Sequence, residues 1–391
     1  MIYTGLDLVE KEWPKRLKGA RVGLVVHPAS VNGRLEHAAD IVLKSKRFKL
    51  NAFFGPQHGI RGETQDNMIE WEGFKDKKTG LPVYSLYGNV RKPAPEMLKD
   101  IDVMVIDMQD VGSRYYTFIW TMELCMQACL ENNKSVVILD RPNPIGGHIT
   151  EGHVFNAGYE SFVGQRPLPV RHGMTIGEIG NYLKNEFYPA LDFHVIKMKG
   201  WKRRMWFDET KLPWVLPSPN MPTLDTAIVY PGMCLLEGTM LSEGRGTTRP
   251  FEIFGAPFIE PEKLIKRLNG FKLQGVFFRL MYFQPTFQKR AGKLCGGAQI
   301  HVGDRKKFKP FKTAVAIIKA VHELYPKEDL WKQPPYEYEM VKMPIDILAG
   351  TNRLRNDIEK GERIDKMEEW WSEQRREFDK TVRKEFLMYE L

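Results

Sequence analysis

Residues 50–63 read LNAFFGPQHGIRGE, and the apolar run at the start of this stretch stops abruptly at Gly-Pro. An apolar run of this length is typical of a buried strand, and Gly-Pro is typical of its end. Four reactive side chains follow, namely Gln57, His58, Arg61 and Glu63. In open α/β sheets, ligands bind at the carboxyl ends of the strands. The stretch therefore predicts a functional site at a sheet edge, although a polar surface turn has a similar composition.

Three other apolar runs end in the same way, each followed directly by polar side chains. These are His27 after the first run, Asp107, Gln109 and Asp110 after the next, and Asp140, Arg141 and Asn143 after the last. The runs alternate with segments of helical periodicity, such as residues 117–131. Buried strands that alternate with helices are typical of a parallel sheet. The sequence therefore predicts a Rossmann-like α/β fold in which these polar strand ends converge.

A chain of 391 residues is long for one domain and suggests two. The proline-rich residues 217–222 form a rigid turn, and we place the boundary shortly after it. The expected units are a Rossmann-like catalytic domain over residues 1–228 and a smaller α/β auxiliary domain over residues 229–391, with a cleft between them.

The second unit begins with a glycine-rich segment, residues 230–250, that contains Glu237, Glu243, Arg245 and Arg249. Such a segment forms either a surface ion-pair turn, which contributes little to stability, or a site for an anion or a sugar. Apolar residues on both sides would hold it against the domain, so we favour the site.

Composition argues against several classes of protein. The net charge is +9, but the basic residues are scattered, so a nucleic-acid partner is not indicated. No apolar run approaches the length of a membrane span. The motifs GxGxxG, GxxxxGK[ST], GxSxG and HExxH do not occur, and we expect neither a cofactor nor a metal. The four cysteines form no CxxC pair and are expected to be buried free thiols.

Several long motifs resemble one family in the same order along the chain. They are GPQHGIRGE, DMQDVGSRYYTFIWTM, LDRPNPIGG, PVRHGMTIGE, LLEGTMLSEGRGTTRPFEIFGAP and GGAQIHVGDR. Together they resemble the NamZ family of exo-β-N-acetylmuramidases, which act in bacterial cell-wall turnover. The resemblance implies release of N-acetylmuramic acid from the non-reducing end of peptidoglycan fragments. It also implies an exported protein, so we expect that a leader is missing from this chain; its oligomeric state is not indicated.

One position departs from the family pattern. Members usually have Pro-Glu-His-Gly where this chain has Pro56-Gln57-His58-Gly59, and that glutamate is the proposed catalytic carboxyl. A carboxamide cannot transfer a catalytic proton, and glycoside hydrolysis ordinarily needs two carboxyl groups. Gln57 is either the natural residue or a substitution made to trap a ligand. The chain is therefore expected to be an impaired hydrolase or, alternatively, a homologue that binds sugar or muropeptide without hydrolysis.

The resemblance and the residue chemistry together give a set of candidate site residues. The catalytic candidates are Gln57, His58, Glu63 and Asp110. The candidates for substrate binding are Arg61, Asp107, Gln109, Arg114, Asn143, Arg171, His172, Asn220, Glu237, Glu243, Arg245 and Arg249. Arginines are included because a guanidinium binds the lactyl carboxylate of N-acetylmuramic acid in a bidentate manner, although each could instead form a salt bridge within the protein.

Overall fold

A seven-stranded sheet forms the centre of the N-terminal half, in the strand order β3-β4-β2-β1-β5-β6-β9. The computed structural model describes residues 1–66 and 68–391. Neighbouring strands run parallel except at the edge, where β3 pairs antiparallel with β4. In chain order the strands of the described residues are β1 (Arg21–Val26), β2 (Lys49–Gly55), β3 (Phe74–Lys75), β4 (Pro82–Ser85), β5 (Val103–Asp107), β6 (Ser135–Leu139), β7 (Glu151–Val154), β8 (Pro169–Arg171), β9 (Phe193–Ile196), β10 (Ile253–Ala256), β11 (Val276–Phe283) and β12 (Cys295–Val302).

The central strands are apolar on both faces because helices cover both faces of the sheet. All five residues of β5 are buried, as are the last five of β1. The helices are Gly5–Glu12, Ala38–Leu43, Pro95–Leu98, Phe118–Glu131, Ile176–Glu186, Leu224–Met233, Pro261–Asn269, Pro310–Leu324, Pro344–Ala349, Arg353–Glu359, Ile364–Phe378 and Lys384–Phe386. The prediction of a Rossmann-like parallel sheet is confirmed.

Local signals set the start of several helices. Thr175 caps the helix Ile176–Glu186, and Glu178 completes a capping box. The helix Ala38–Leu43 begins only at Ala38, because the preceding residues form a turn closed by a bridge between Val31 and His37.

The C-terminal half contains a smaller antiparallel sheet in the order β10-β12-β11. The helices Pro261–Asn269 and Pro310–Leu324 contact each other, and the first of them contacts this sheet. Strand β11 begins at Val276, directly after Gly275 turns the chain with a φ of 72°. A smaller α/β unit after the parallel sheet is thus confirmed.

The end of the chain returns to the N-terminal sheet. The hydroxyl of Tyr389 donates to Asp140 Oδ2 over 2.5 Å, and the backbone N–H of Met388 donates to Glu178 Oε1 over 2.7 Å. The predicted boundary at residue 228 falls inside the helix Leu224–Met233. The two halves are therefore joined both by a continuous helix and by the returning C-terminus.

Three smaller observations concern the described residues. All four cysteines are free and buried, as predicted. Among residues 1–66 and 68–391, no helix has both the length and the apolar character to cross a membrane. In the same part of the chain, no group of three or more His, Cys, Asp or Glu side chains is arranged to hold a metal ion.

Candidate active site

A narrow cavity lies where the two halves of the chain meet. The N-terminal half contributes Gln57, His58, Tyr116, Thr117 and Asn220, among others, and the C-terminal half contributes Tyr230, Glu237, Arg245, Tyr336 and Glu337. The space between these side chains amounts to about 500 Å³, part of which is open to solvent.

Gln57 lies directly after β2, where Gly55 and Pro56 end the strand. Its side chain is 6% exposed, and its Oε1 accepts a hydrogen bond of 2.8 Å from the hydroxyl of Thr117. Thr117 precedes the helix Phe118–Glu131, so this bond connects the end of β2 to the start of a helix. The strand end thus presents a fixed, uncharged amide to the cavity.

His58 follows with a φ of 71°, in the left-handed region. Its Nδ1 lies 2.6 Å from the carbonyl oxygen of Thr64. Because a carbonyl oxygen only accepts, Nδ1 carries the hydrogen and Nε2 keeps a free lone pair. Burial lowers the pKa of His58 to about 4, so the ring is neutral at physiological pH. His58 therefore contributes a neutral imidazole.

Glu237 and Arg245 form a buried ion pair at the cavity, with Arg245 Nη2 2.7 Å from Glu237 Oε1. The hydroxyl of Tyr336 donates to the other carboxylate oxygen of Glu237 over 2.8 Å. Burial alone would raise the pKa of Glu237, but Arg245 and Tyr336 outweigh it, so the pKa lies below its ordinary value. Glu237 is therefore a carboxylate at neutral pH.

Arg245 also pairs with a second carboxylate, that of Glu243. Its Nε lies 3.4 Å from Glu243 Oε1, and Lys289 Nζ lies 2.8 Å from Glu243 Oε2. Lys289 also donates to the carbonyl oxygens of Leu236 and Thr239, over 2.6 and 3.0 Å. Arg245 Nη1 is buried and makes no hydrogen bond among the described residues. The cavity thus contains a guanidinium that is paired with two acids and whose Nη1 makes no hydrogen bond to the described residues.

Glu337 is a second carboxyl group at the cavity, and it is not among the sequence-based candidates. Its side chain is buried, and the hydroxyl of Tyr87 donates to its Oε2 over 3.1 Å. Burial, and then the neighbouring charge of Glu237, raise the pKa of Glu337 to about 7. Two carboxyl groups at one cavity therefore have pKa values displaced in opposite directions.

The family comparison accords with this arrangement. Residues 22–225 match the family model for the N-terminal part of the exo-β-N-acetylmuramidase NamZ, and residues 228–389 match the model for its C-terminal part. The chain belongs to the NamZ family. The expected resemblance is thereby confirmed.

Individual relatives of this NamZ-family chain match over nearly its full length. The peptidoglycan β-N-acetylmuramidase NamZ of Bacillus subtilis (strain 168) is 47% identical over 388 residues, which are 99% of this chain and 91% of that protein. Two crystal structures of DUF1343 family proteins from Bacteroides fragilis NCTC 9343 are also similar. One has a TM-score of 0.88 and 37% identity, the other a TM-score of 0.75 and 29% identity, and each alignment covers 100% of this chain and 99% of the other.

Several predicted site residues line the cavity of this family member. They are Gln57, His58, Asn220, Glu237 and Arg245. Asn220 donates from Nδ2 to the carbonyl oxygen of Gln65 over 2.7 Å. Glu243 contacts the cavity only through Arg245.

The polar side chains that follow β5 and β6 lie close together, as predicted, but they bind each other and are not in the cavity lining. The carboxylate of Asp107 accepts two hydrogen bonds from Arg141, over 2.5 and 2.7 Å, and is fully buried. Gln109 donates from Nε2 to the carbonyl oxygens of Asp110 and Pro142, over 2.7 and 2.9 Å. These contacts give Asp107 and Gln109 structural roles, and their predicted roles toward substrate stay predictions.

Further candidates beneath the cavity also bind protein groups. Asp110 accepts from the N–H of Gly112 over 2.7 Å and lies 3.2 Å from His172 Nε2. The guanidinium of Arg114 donates to four carbonyl oxygens, those of His153, Leu168, Leu348 and Ala349. Arg171 donates to Ile145 O, and Asn143 donates to Met174 O over 2.9 Å. These side chains join loops behind the sheet edge.

Three predicted residues are exposed and outside the cavity lining. Arg61 stacks on Phe74, with its guanidinium carbon 4.8 Å from the ring centroid, and Arg249 pairs with Glu252 over 3.2 Å. Glu63 is exposed after the same turn as Arg61. Their roles in catalysis or substrate binding remain predictions that this arrangement does not explain.

Proposed function

We propose that this protein is an exo-acting glycoside hydrolase that removes N-acetylmuramic acid from the non-reducing end of peptidoglycan fragments. The observation that carries the proposal is the pair of buried carboxyl groups at one cavity, Glu237 and Glu337. Their pKa values are displaced in opposite directions, which is the arrangement that separates a proton donor from a permanent anion in glycosidases. Family membership supports the same class of reaction.

Arg245 supports N-acetylmuramic acid as the sugar. Its Nη1 is a buried donor without a partner among the described residues, and such donors are rare because they lose their hydration without replacement. The lactyl carboxylate of the sugar would supply an acceptor with the matching charge. Asn220 and Tyr116, which also line the cavity, are suited to the acetamido and hydroxyl groups.

We further propose that Gln57 limits turnover. Its carboxamide can hold a hydrogen bond, but it can neither take a proton from water nor attack the anomeric carbon. A glutamate at this position would accept the same hydrogen bond from Thr117, because the acceptor is the side-chain oxygen in both cases. Gln57 also motivates the alternative function, a protein that binds the sugar or muropeptide without hydrolysing it.

The decisive experiment measures hydrolysis of a chromogenic β-N-acetylmuramic acid glycoside by the native chain and by Gln57→Glu. We expect slow turnover by the native chain and an increase in kcat of about 10²-fold or more in the variant. Gln274→Glu makes the same chemical change at an exposed position outside the cavity and should leave kcat unchanged.

Other outcomes distinguish the alternatives. Binding of N-acetylmuramic acid without turnover in either protein would establish the sugar-binding alternative. Equal, substantial rates in both proteins would show that position 57 is not catalytic. Export of the full-length protein is part of the proposal and is tested by fractionating cells that express it from its complete gene.

A further inference from the structure

Glu337 lines the cavity, but none of the family motifs in the sequence includes it. The motifs therefore indicate no role for its carboxyl group. We propose that Glu337 donates the proton to the glycosidic oxygen as the bond to the anomeric carbon breaks. This inference rests on the proposed function, because it names the proton donor of that hydrolysis.

The backbone around Glu337 forms an unusual tight turn. Tyr336 and Glu339 exchange two backbone hydrogen bonds, of 3.0 and 2.9 Å. The two central residues, Glu337 and Tyr338, have φ values of 45° and 68°. Two positive φ values are the signature of a type I′ turn, which ordinarily has Asn or Gly at these positions. Strained turns that carry bulky residues cluster at functional sites, where the backbone conformation aims a particular side chain.

This turn places Glu337 in the cavity rather than on the surface. Glu337 is 4% exposed, and Tyr87, from the N-terminal half, donates to one of its carboxyl oxygens. Its neighbour Tyr338 is 42% exposed, so only one of the two central side chains is buried. A surface turn would gain nothing from burying a carboxyl group, since the loss of hydration opposes folding.

The charges that face Glu337 are suited to proton donation. They come from both halves of the chain: Tyr87 and Arg91 from the N-terminal half, and Glu237, Arg245 and Tyr336 from the C-terminal half. Glu237 is kept ionised by Arg245, and its negative charge favours the protonated form of Glu337. Glu337 therefore retains a proton to about pH 7 and releases it when the leaving oxygen becomes basic.

Hydrolysis with Glu337 as the proton donor needs no reagent other than water. The proton of Glu337 moves to the glycosidic oxygen while the C1–O bond breaks, and the leaving sugar departs as an alcohol. Water then supplies a hydroxyl group to C1, and the proton it releases restores the carboxyl group of Glu337. The acid is thus regenerated in each turnover.

Leaving groups of different basicity test the proposal directly. The dinitrophenolate of a dinitrophenyl N-acetylmuramic acid glycoside leaves without protonation. The more basic leaving oxygens of a methylumbelliferyl glycoside and of an N-acetylmuramic acid–N-acetylglucosamine disaccharide depend on a proton donor. Glu337→Gln should lower kcat/KM for the two poor leaving groups by about 10²- to 10⁴-fold and for the dinitrophenyl glycoside by less than about tenfold. A merely structural role would lower all three rates alike.

The pH profile gives a second readout. The basic limb of kcat/KM should lie near pH 7 in the active protein and disappear in Glu337→Gln. Tyr87→Phe removes a hydrogen bond that stabilises the carboxylate, so this limb should move to higher pH. Glu339→Gln removes a carboxyl group from the same turn but outside the cavity lining, and it should preserve the rates and the leaving-group pattern.

All measurements are made in the native chain and in Gln57→Glu, with circular dichroism to confirm folding. If Glu337→Gln is poorly folded, Glu337→Asp serves instead, and its loss should also be greater with the poor leaving groups. Unchanged rates in Glu337→Gln, or an equal loss on all three substrates, would overturn the proposal while leaving the hydrolase function intact. Hydrolysis by neither background would overturn the proposed function and this inference together.

Discussion

The two halves of the chain contribute opposite kinds of chemistry to the cavity. The N-terminal wall, at the end of β2, offers the amide of Gln57, the neutral ring of His58 and the hydroxyl of Thr117. The C-terminal wall offers the ion pair of Glu237 and Arg245 and the carboxyl group of Glu337. The sheet edge thus provides fixed neutral hydrogen-bonding groups, and the smaller unit provides the charges. A Rossmann-like sheet with a ligand site at its edge need not carry the ionised part of that site.

Removing the cation of the C-terminal wall should have the largest effect on stability. Arg245→Met would leave Glu237 and Glu243 buried without their shared partner. Removal of one member of a buried ion pair leaves an uncompensated charge, so we expect the free energy of unfolding to fall by about 3–5 kcal/mol. Urea denaturation at pH 8 measures it.

A matched arginine serves as the control for that change. Arg249→Met lies in the same glycine-rich segment, but its side chain is 47% exposed, and its buried partner Glu252 keeps the hydrogen bonds from the hydroxyls of Thr223 and Thr226. We expect a loss of about 1 kcal/mol or less. Similar losses in both variants would mean that the segment as a whole, and not the buried pair, stabilises the wall.

Glu337→Gln should have the next largest effect, with the opposite sign. Burial raises the folded-state pKa of Glu337 from 4.5 to about 7, so the native protein loses stability as the pH rises through this interval. The glutamine variant does not ionise and should be more stable at pH 8 by about 2–3 kcal/mol, with the gain absent at pH 4. Urea denaturation of both proteins across this pH range measures the difference.

The difference in stability between the native protein and Glu337→Gln reports the ionisation of Glu337 alone, although other groups titrate in the same pH interval. Burial also raises the pKa values of Asp140 and Glu151 to about 7, but both are present in either protein and cancel in the difference. Glu10→Gln, at an exposed carboxylate, should show no pH-dependent gain. A gain that did not depend on pH would contradict the raised pKa of Glu337.

Tyr336→Phe tests how the C-terminal wall keeps Glu237 ionised. The variant removes the 2.8 Å hydrogen bond to Glu237 Oε2, and hydrogen bonds to buried charged groups contribute about 1.5–3 kcal/mol. We expect a loss of about 2 kcal/mol at pH 8, measured by urea denaturation. Tyr338→Phe, two residues away at an exposed ring, should lose much less, and equal losses would show that the turn itself is the sensitive element.

Sequence reasoning succeeded where a local pattern determines the structure. Alternating apolar runs and helical segments predicted the parallel sheet. The motif after β2 predicted that Gln57 and His58 lie at a cavity. In each case residues close in sequence carry the information.

The features of the site that the sequence did not predict depend on contacts between segments that are distant in sequence. A polar residue after a strand can either face a ligand or bind another part of the protein, and the outcome depends on which loop lies opposite it. Asp107, for example, binds Arg141, which lies 34 residues later in the sequence. Glu337 lies in the segment QPPYEYEM, residues 333–340, which has no helical or strand periodicity and no glycine at its turn. The signal that could have indicated it is a carboxyl group between two tyrosines in an irregular segment, which is weak without the fold.

The smallest expected change in stability comes from a substitution in the N-terminal wall, whose groups are neutral. Thr117→Val removes the hydroxyl that donates to Gln57 Oε1, and a neutral hydrogen bond of this kind contributes about 1 kcal/mol. In the Gln57→Glu background the same hydroxyl would donate to a charged acceptor, so the loss at pH 8 should rise to about 2 kcal/mol. Urea denaturation of the four proteins forms a double-mutant cycle. An equal loss in both backgrounds would mean that a carboxyl group at position 57 stays protonated at pH 8, and the N-terminal wall would then remain neutral even with the family's acid in place.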